Sequence, residues 1–200
     1  MSTESPGFGL RSRWWIAWLS VAVLAVAAVW LFSSKPSRTT GSILAERSRN
    51  VLELRDGVLL DQGKPFTGFV LEHHDDGSLK SRSSVSNGLL EGLSQGWHAN
   101  GKLQVSETYV RGISHGIRTK YHESGAKLST VEVVHGQTQG IFERWFENGR
   151  LSERVELTNG VPHGESLAFH PDGSLKARVR MNQGEVVENR FWAPGEHWPE

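Results

Sequence analysis

Two patterns of apolar residues divide the chain. From Trp14 to Phe32 the sequence WWIAWLSVAVLAVAAVWLF carries no charge. From residue 54 onward, apolar and polar residues alternate in short runs. Leu175, Ala177, Val179 and Met181 fall on one side of such a run, and Lys176, Arg178, Arg180 and Asn182 on the other. Leu151, Val155 and Leu157 oppose Ser152, Arg154, Glu156 and Thr158 in the same way. A period of two is the mark of half-buried β-strands.

The alternating runs recur with a period of 24. Gly77, Gly101, Gly125, Gly149 and Gly173 form one series, and Gly88, Gly112, Gly136, Gly160 and Gly184 a second. A third comprises Gly68, Gly92, Gly116, Gly140 and Gly164. Three glycine series in one register over five copies signify a repeat architecture. The first series follows Asp76, Asn100, Ser124, Asn148 and Asp172, so it predicts tight hairpin turns with positive φ at both central residues. The second predicts the opposite turns. The chain then reverses alternately every 11 and 13 residues, two strands per unit. The third series falls inside strands, where glycine signals a bend or a close approach. Trp97, Tyr121, Trp145 and Phe169 are also 24 apart. We expect each ring to cover a glycine of a neighbouring strand. In the third copy Lys127 takes the expected leucine position and Leu128 comes one place late, which predicts a bulge.

The uncharged run predicts a transmembrane helix. Its 19 residues span roughly 28 Å at ~1.5 Å each, close to the ~30 Å hydrocarbon core. Trp14, Trp15, Trp18 and Trp30 stand near its ends, as an aromatic belt does. A cleaved signal peptide is the alternative, with Arg11 and Arg13 as its n-region. The run is longer than the ~7–15 residues of an h-region, and bulky Trp30, Leu31 and Phe32 follow the small Ala27-Ala28 pair, so an anchor is expected. Cations on the two sides do not decide orientation. The short N-terminal tail places the repeats outside the cytoplasm, in a periplasm if the source is Gram-negative.

The expected organisation is therefore a tail at 1–13, a helix at 14–32, a flexible or partly helical tether at 33–53, hairpin repeats at 54–192 and a cap at 193–200. The fold class is an all-β repeat array, a meander of antiparallel hairpins in an elongated twisted sheet, plus one N-terminal transmembrane helix.

Composition narrows the chemistry. The chain has no cysteine, which excludes disulfides, thiolate metal sites, cysteine nucleophiles and lipid-modified cysteine. Lys plus Arg equals Asp plus Glu at 22 each, so nothing demands nucleic acid. Gly92-Leu93-Ser94-Gln95-Gly96 matches a nucleophile-elbow pattern, but its flanks are repeat strands. His74, His98, His122 and His170 occupy equivalent positions. Equivalent positions lie two strands apart, roughly 9–10 Å, too far to share one ion. They are expected to be exposed beside the turns, and His115 and His163 show no obvious partner. No cofactor or metal is expected. Arg118, Lys120, Arg144, Arg154, Arg178 and Arg180 are candidate binding residues on the polar face.

The array resembles the bacterial variant of the MORN family. The residues that carry the likeness are Arg55-Asp56-Gly57-Val58-Leu59-Leu60, Pro65-Phe66-Thr67-Gly68, Trp97-His98-Ala99-Asn100-Gly101-Lys102-Leu103 and Trp145-Phe146-Glu147-Asn148-Gly149-Arg150-Leu151. The resemblance implies a hairpin sheet used for protein or lipid contacts, without shared catalytic residues. Some bacterial members bear an antitoxin label. The expected function is a membrane-anchored, non-catalytic module that binds a protein partner. The alternatives are binding of envelope glycans or lipid headgroups, and an antitoxin-like neutralising partner.

Overall fold

The computed structural model describes residues 44–45 and 48–196. Trp14–Phe32 lies outside them, and with it the expected membrane helix. Among the described residues no helix is long and apolar enough to cross a membrane.

All regular structure in the described residues is β. The first strands are β1 (Leu44–Ala45), β2 (Ser48–Val51), β3 (Glu53–Arg55), β4 (Val58–Asp61), β5 (Lys64–Pro65) and β6 (Gly68–His73). The repeats continue with β7 (Leu79–Ser86), β8 (Leu89–Trp97), β9 (Leu103–Val110), β10 (Ile113–Ser114), β11 (Gly116–Tyr121) and β12 (Lys127–Val134). The last are β13 (Gln137–Trp145), β14 (Leu151–Thr158), β15 (Val161–Phe169), β16 (Leu175–Asn182) and β17 (Glu185–Phe191). From β6 to β17 each strand pairs antiparallel with its neighbours in sequence, β10 being a short spur on β9. Part of the expected tether is strand: β1 pairs with β6 and β2 with β1, which covers the first edge of the sheet. β3, β4 and β5 form a separate small sheet. Phe66 follows it, and packs with Leu52, Val70 and Val85 to close the start of the core.

The two turn families have the reverse of the expected types. At the second series both central residues have positive φ, as at Asn87 (φ 50) and Gly88 (φ 79), which defines a type I′ hairpin. Arg111, His135 and Gln183 hold the same left-handed conformation without being Asn or Gly. At the first series only the glycine does so. Gly77 N–H donates to His74 C=O at 2.9 Å, and His74 N–H to Ser78 C=O at 2.8 Å. This is a tight turn followed by a left-handed glycine, and the ladder slips by one residue between Glu72 and His73. The aspartate contributes through its side chain instead: Asp76 Oδ1 accepts from Ser78 N–H at 2.9 Å.

The in-strand glycines mark bulges. Between β12 and β13, Thr130 faces Glu143 while Glu132 faces Gln139, so three residues oppose Val131 alone. Gly140, at φ 70, supplies the left-handed turn that the extra residues need. At Gly68 the ring on that side is Phe66, 2.8 Å from where a Cβ would stand, not one of the four 24-residue-spaced aromatics. A Cβ at Gly92, Gly116 or Gly140 would meet Ser84, Thr108 or Glu132. Leu128 does not signal a further bulge either: Tyr121 pairs with Lys127 as Trp145 pairs with Leu151. Lys127 replaces the leucine and sets its ammonium 5.0 Å from the Trp145 ring centre.

One face of the sheet is the core. Its middle row runs Val70, Ser83, Ser94, Glu107, Arg118, Val131, Phe142, Val155, Ser166, Val179 across successive strands. Val131, Phe142 and Val155 are buried, and in the next row Val85, Val133, Leu157 and Met181 are buried opposite the bulge glycines.

Candidate interaction surface

Both edges of the array are bonded from unit to unit. At the bulged turns, Nε2 of His74, His98 and His122 lies 3.0 Å from the carbonyl oxygens of Trp97, Tyr121 and Trp145. His170 reaches Trp192 O at 3.2 Å. A carbonyl only accepts, so each Nε2 carries the proton and donates. These histidines are half-buried ties between units, not exposed groups. The fourth unit has Phe146 at this place, and its ties come from Asn148 Nδ2 and Arg150 Nη1, each donating to Pro171 O at 3.2 Å. At the type I′ turns the N–H of the left-handed residue donates one unit back. Asn87 binds Thr67 Oγ1, Arg111 binds Glu91 Oε2, and Asn159 binds Gln139 Oε1. His135 N–H points to His115 Nδ1 at 3.5 Å, and Gln183 N–H to His163 Nδ1 at 3.4 Å. The residue before each bulge glycine is thus an acceptor in every copy, which gives His115 and His163 their partners.

The six candidate cations divide between the faces. Arg118, Lys120 and Arg144 share the core face, since Arg118 pairs with Val131, and Lys120 and Arg144 both pair with Ser129. Arg154, Arg178 and Arg180 lie on the outer face. On the core side Glu107 organises a cluster. Its carboxylate takes Arg118 Nε at 2.7 Å, Arg118 Nη2, the Ser114 hydroxyl, and Tyr109 O–H at 3.1 Å. Burial, reinforced by the Glu107 charge, pushes the Tyr109 phenol up to about 12. Burial and then Arg118 repulsion hold the Lys120 ammonium below its ordinary range. Burial raises the Glu153 carboxyl, with Arg144 acting in the opposite sense. Glu107, Arg118, Ser114 and Tyr109 thus bond one another within the sheet. Ser94 does likewise: its hydroxyl sits 2.6 Å from that of Ser83, mid-strand in the ladder, not on the strand-to-helix turn of a nucleophile elbow.

The outer face carries a feature that the strand-by-strand reading missed. Phe69, Leu93, Ile117 and Ile141 each follow a bulge glycine, 24 residues apart. The bulge turns all four outward, and Phe69, Leu93 and Ile117 are 37%, 49% and 59% exposed. Each pairs with a small or charged residue of the next strand: Ser84, Thr108, Glu132 and Glu156. The Arg82 guanidinium stacks 3.9 Å from the Phe69 ring centre at one end. At the other end the fifth copy replaces the apolar rung with Glu165, paired with Arg180. The signal was in the sequence as the residue after each third-series glycine. Nearby, Val110, Arg111, Ile113, His115 and His135 line an open depression of about 400 Å³ between two type I′ turns.

The sequence of one unit can now be set against known families. Residues 90–111 match the model of the MORN repeat variant. The matched stretch, similar to one unit of that repeat, runs from β8 through its bulged turn along β9, and the same turns and bulges recur on either side. MORN repeats are in general modules for protein or membrane-lipid interaction, and are not catalytic. No curated protein matches the chain.

Proposed function

We propose that the MORN-like sheet is a non-catalytic binding module that recognises a protein partner through its outer face. The carrying observation is the line of Phe69, Leu93 and Ile117, large apolar side chains held in solvent by a device repeated in every unit. A β-sheet with a core on one face needs no apolar residues on the other. A regular line of them, at roughly 9–10 Å spacing, with hydroxyl groups between, suits a flat apolar protein surface better than a charged lipid headgroup. The module is tethered by the Trp14–Phe32 segment, with the repeats outside the cytoplasm.

The test is capture by the full chain in its native membrane, with crosslinking and identification of the bound species. Leu93→Glu and Ile117→Glu should abolish capture while leaving the unfolding free energy within about 0.5 kcal/mol of wild type. Retention of the partner by both variants sinks the reading, as does specific binding to anionic vesicles in place of a protein. Protease accessibility on sealed vesicles tests the orientation.

A further inference from the structure

We infer that the depression between the Gly112 and Gly136 turns takes an acidic side chain of the protein partner, together with the branched aliphatic residue beside it. The inference rests on the reading that the outer face meets a protein, and gives the chemistry of one point of that contact.

The depression continues the apolar line. Leu93 pairs with Thr108, and Val110 lies two residues further along β9 on the same face. Ile113 pairs with Val110, so β10 adds a second aliphatic side chain there. Both are exposed. A Cβ at Gly136 would stand 3.6 Å from Ile113, so the following turn closes against it. The open hollow of about 400 Å³ is of the size of a small ligand site.

Its polar rim is built of donors. The Arg111 guanidinium makes no ion pair among the described residues. Glu91, one unit back, takes the Arg111 main-chain N–H at 2.7 Å instead. His135 N–H points to Nδ1 of His115, so that nitrogen is the acceptor and Nε2 carries the proton. The two imidazoles stand with centres 5.4 Å apart, tilted by 48°. Neither nitrogen of His115 is then open to a metal ion, which needs a lone pair. A guanidinium fork beside an imidazole N–H, over an aliphatic floor with no carboxylate in the lining, matches a carboxylate on a short apolar body.

The other copies do not repeat this set. The preceding one has a carboxylate, Glu91, at the place of His115. The following one has amides, Gln139 and Asn159, at the places of His115 and His135. A partner lying along Phe69, Leu93 and Ile117 meets nearly the same apolar rung in each unit and could sit one unit too far either way. One cationic hollow beside that line fixes its register.

The test is NMR of the full chain in zwitterionic detergent, titrated with the peptide acetyl-Leu-Glu-Leu-amide and, as control, acetyl-Leu-Gln-Leu-amide. The glutamate peptide should give saturable shifts at Arg111, Ile113, His115 and His135, and the glutamine peptide should bind at least roughly tenfold more weakly. His163, which faces Gln183 N–H in the same way but has no second imidazole, should not respond. Arg111→Asn should weaken the glutamate peptide at least roughly tenfold while the thermal midpoint rises, since Asn suits φ 50 better than Arg does, so the loss is not unfolding. Equal binding of the two peptides, no shifts at the hollow, or undiminished binding by Arg111→Asn overturns the inference. Crosslinking in the native membrane separates it from the reading beneath it. If Leu93→Glu loses the partner and Arg111→Glu keeps it, the outer face stands as the docking surface and the hollow falls. If Arg111→Glu loses the partner and Leu93→Glu keeps it, the hollow stands and the apolar line falls.

Discussion

Arg118 closes on Glu107 across neighbouring strands, with Nε 2.7 Å from the carboxylate and both side chains largely withdrawn from water, at 16% and 13% exposure. The pair interrupts an otherwise apolar and hydroxyl row. Removing one partner leaves an uncompensated charge on the core face, which costs about 3–5 kcal/mol. Glu107→Ala should therefore lower the urea midpoint sharply. Glu107→Leu combined with Arg118→Met should recover most of the loss. A double variant no more stable than Glu107→Ala would show that the cluster is needed for more than charge balance.

Burial raises the Glu153 carboxyl in the folded state. Its ionisation is then harder in the folded protein than in the unfolded one. Its contribution to stability is therefore lost as pH rises from the ordinary glutamate range through the raised value. Glu153→Gln should equal wild type in acid and surpass it at neutral pH. Denaturation midpoints across that range check the sign, and parallel pH profiles would refute it.

Arg111 and Gln183 sit at φ 50 in type I′ turns, a conformation that costs a side-chain-bearing residue roughly 1–2 kcal/mol and that Asn tolerates better. Arg111→Asn and Gln183→Asn should each raise the thermal midpoint, by up to about 1 kcal/mol in stability. Gly140→Ala should do the opposite, because φ is 70 inside the bulge. Scanning calorimetry distinguishes the two directions.

Phe146 occupies the place of the tying histidines and makes the same turn bond, its N–H donating to Arg150 O at 2.8 Å. Phe146→His should add a donor to the carbonyl of Phe169 and stabilise the protein by about 0.5–1.5 kcal/mol. His98→Ala should lose a similar amount. Slower amide exchange in β15 for the first variant, and faster exchange in β11 for the second, would locate the effect.

The period of 24 made the meander legible: glycine spacing gave two reversals per unit, and alternation gave the core face of β14 and β16. The turn chemistry was read the wrong way round because Asp-Gly and Asn-Gly suit either turn type. What decides is the number of residues left unpaired, which the ladder shows and the dipeptide does not. His74 and its equivalents looked exposed because their acceptors are main-chain carbonyls, which have no signature in sequence. The outward line of Phe69, Leu93 and Ile117 alternates regularly with Val70, Ser94 and Arg118 on the core side, and was overlooked because alternation was followed only along β14 and β16. The split of the six cations between faces follows from strand parity: core positions are even-numbered in β11 and β13 and odd-numbered in β14 and β16.

In β17 the series of bulge glycines stops: Glu188 stands where Gly164 and its predecessors would recur, and the bulge has one extra residue instead of two. Trp192 consequently arrives one position early, accepts the His170 tie, and donates to Lys176, while Gly195 N–H points to Ser174 Oγ at 3.4 Å. The final half-unit so acts as a terminator that any preceding unit can receive, since every tie reaches only its immediate neighbour. Duplicating or deleting one whole 24-residue block upstream leaves each remaining bond with its partner. A change in the number of whole units would thus leave the closing half-unit at β17 as it is.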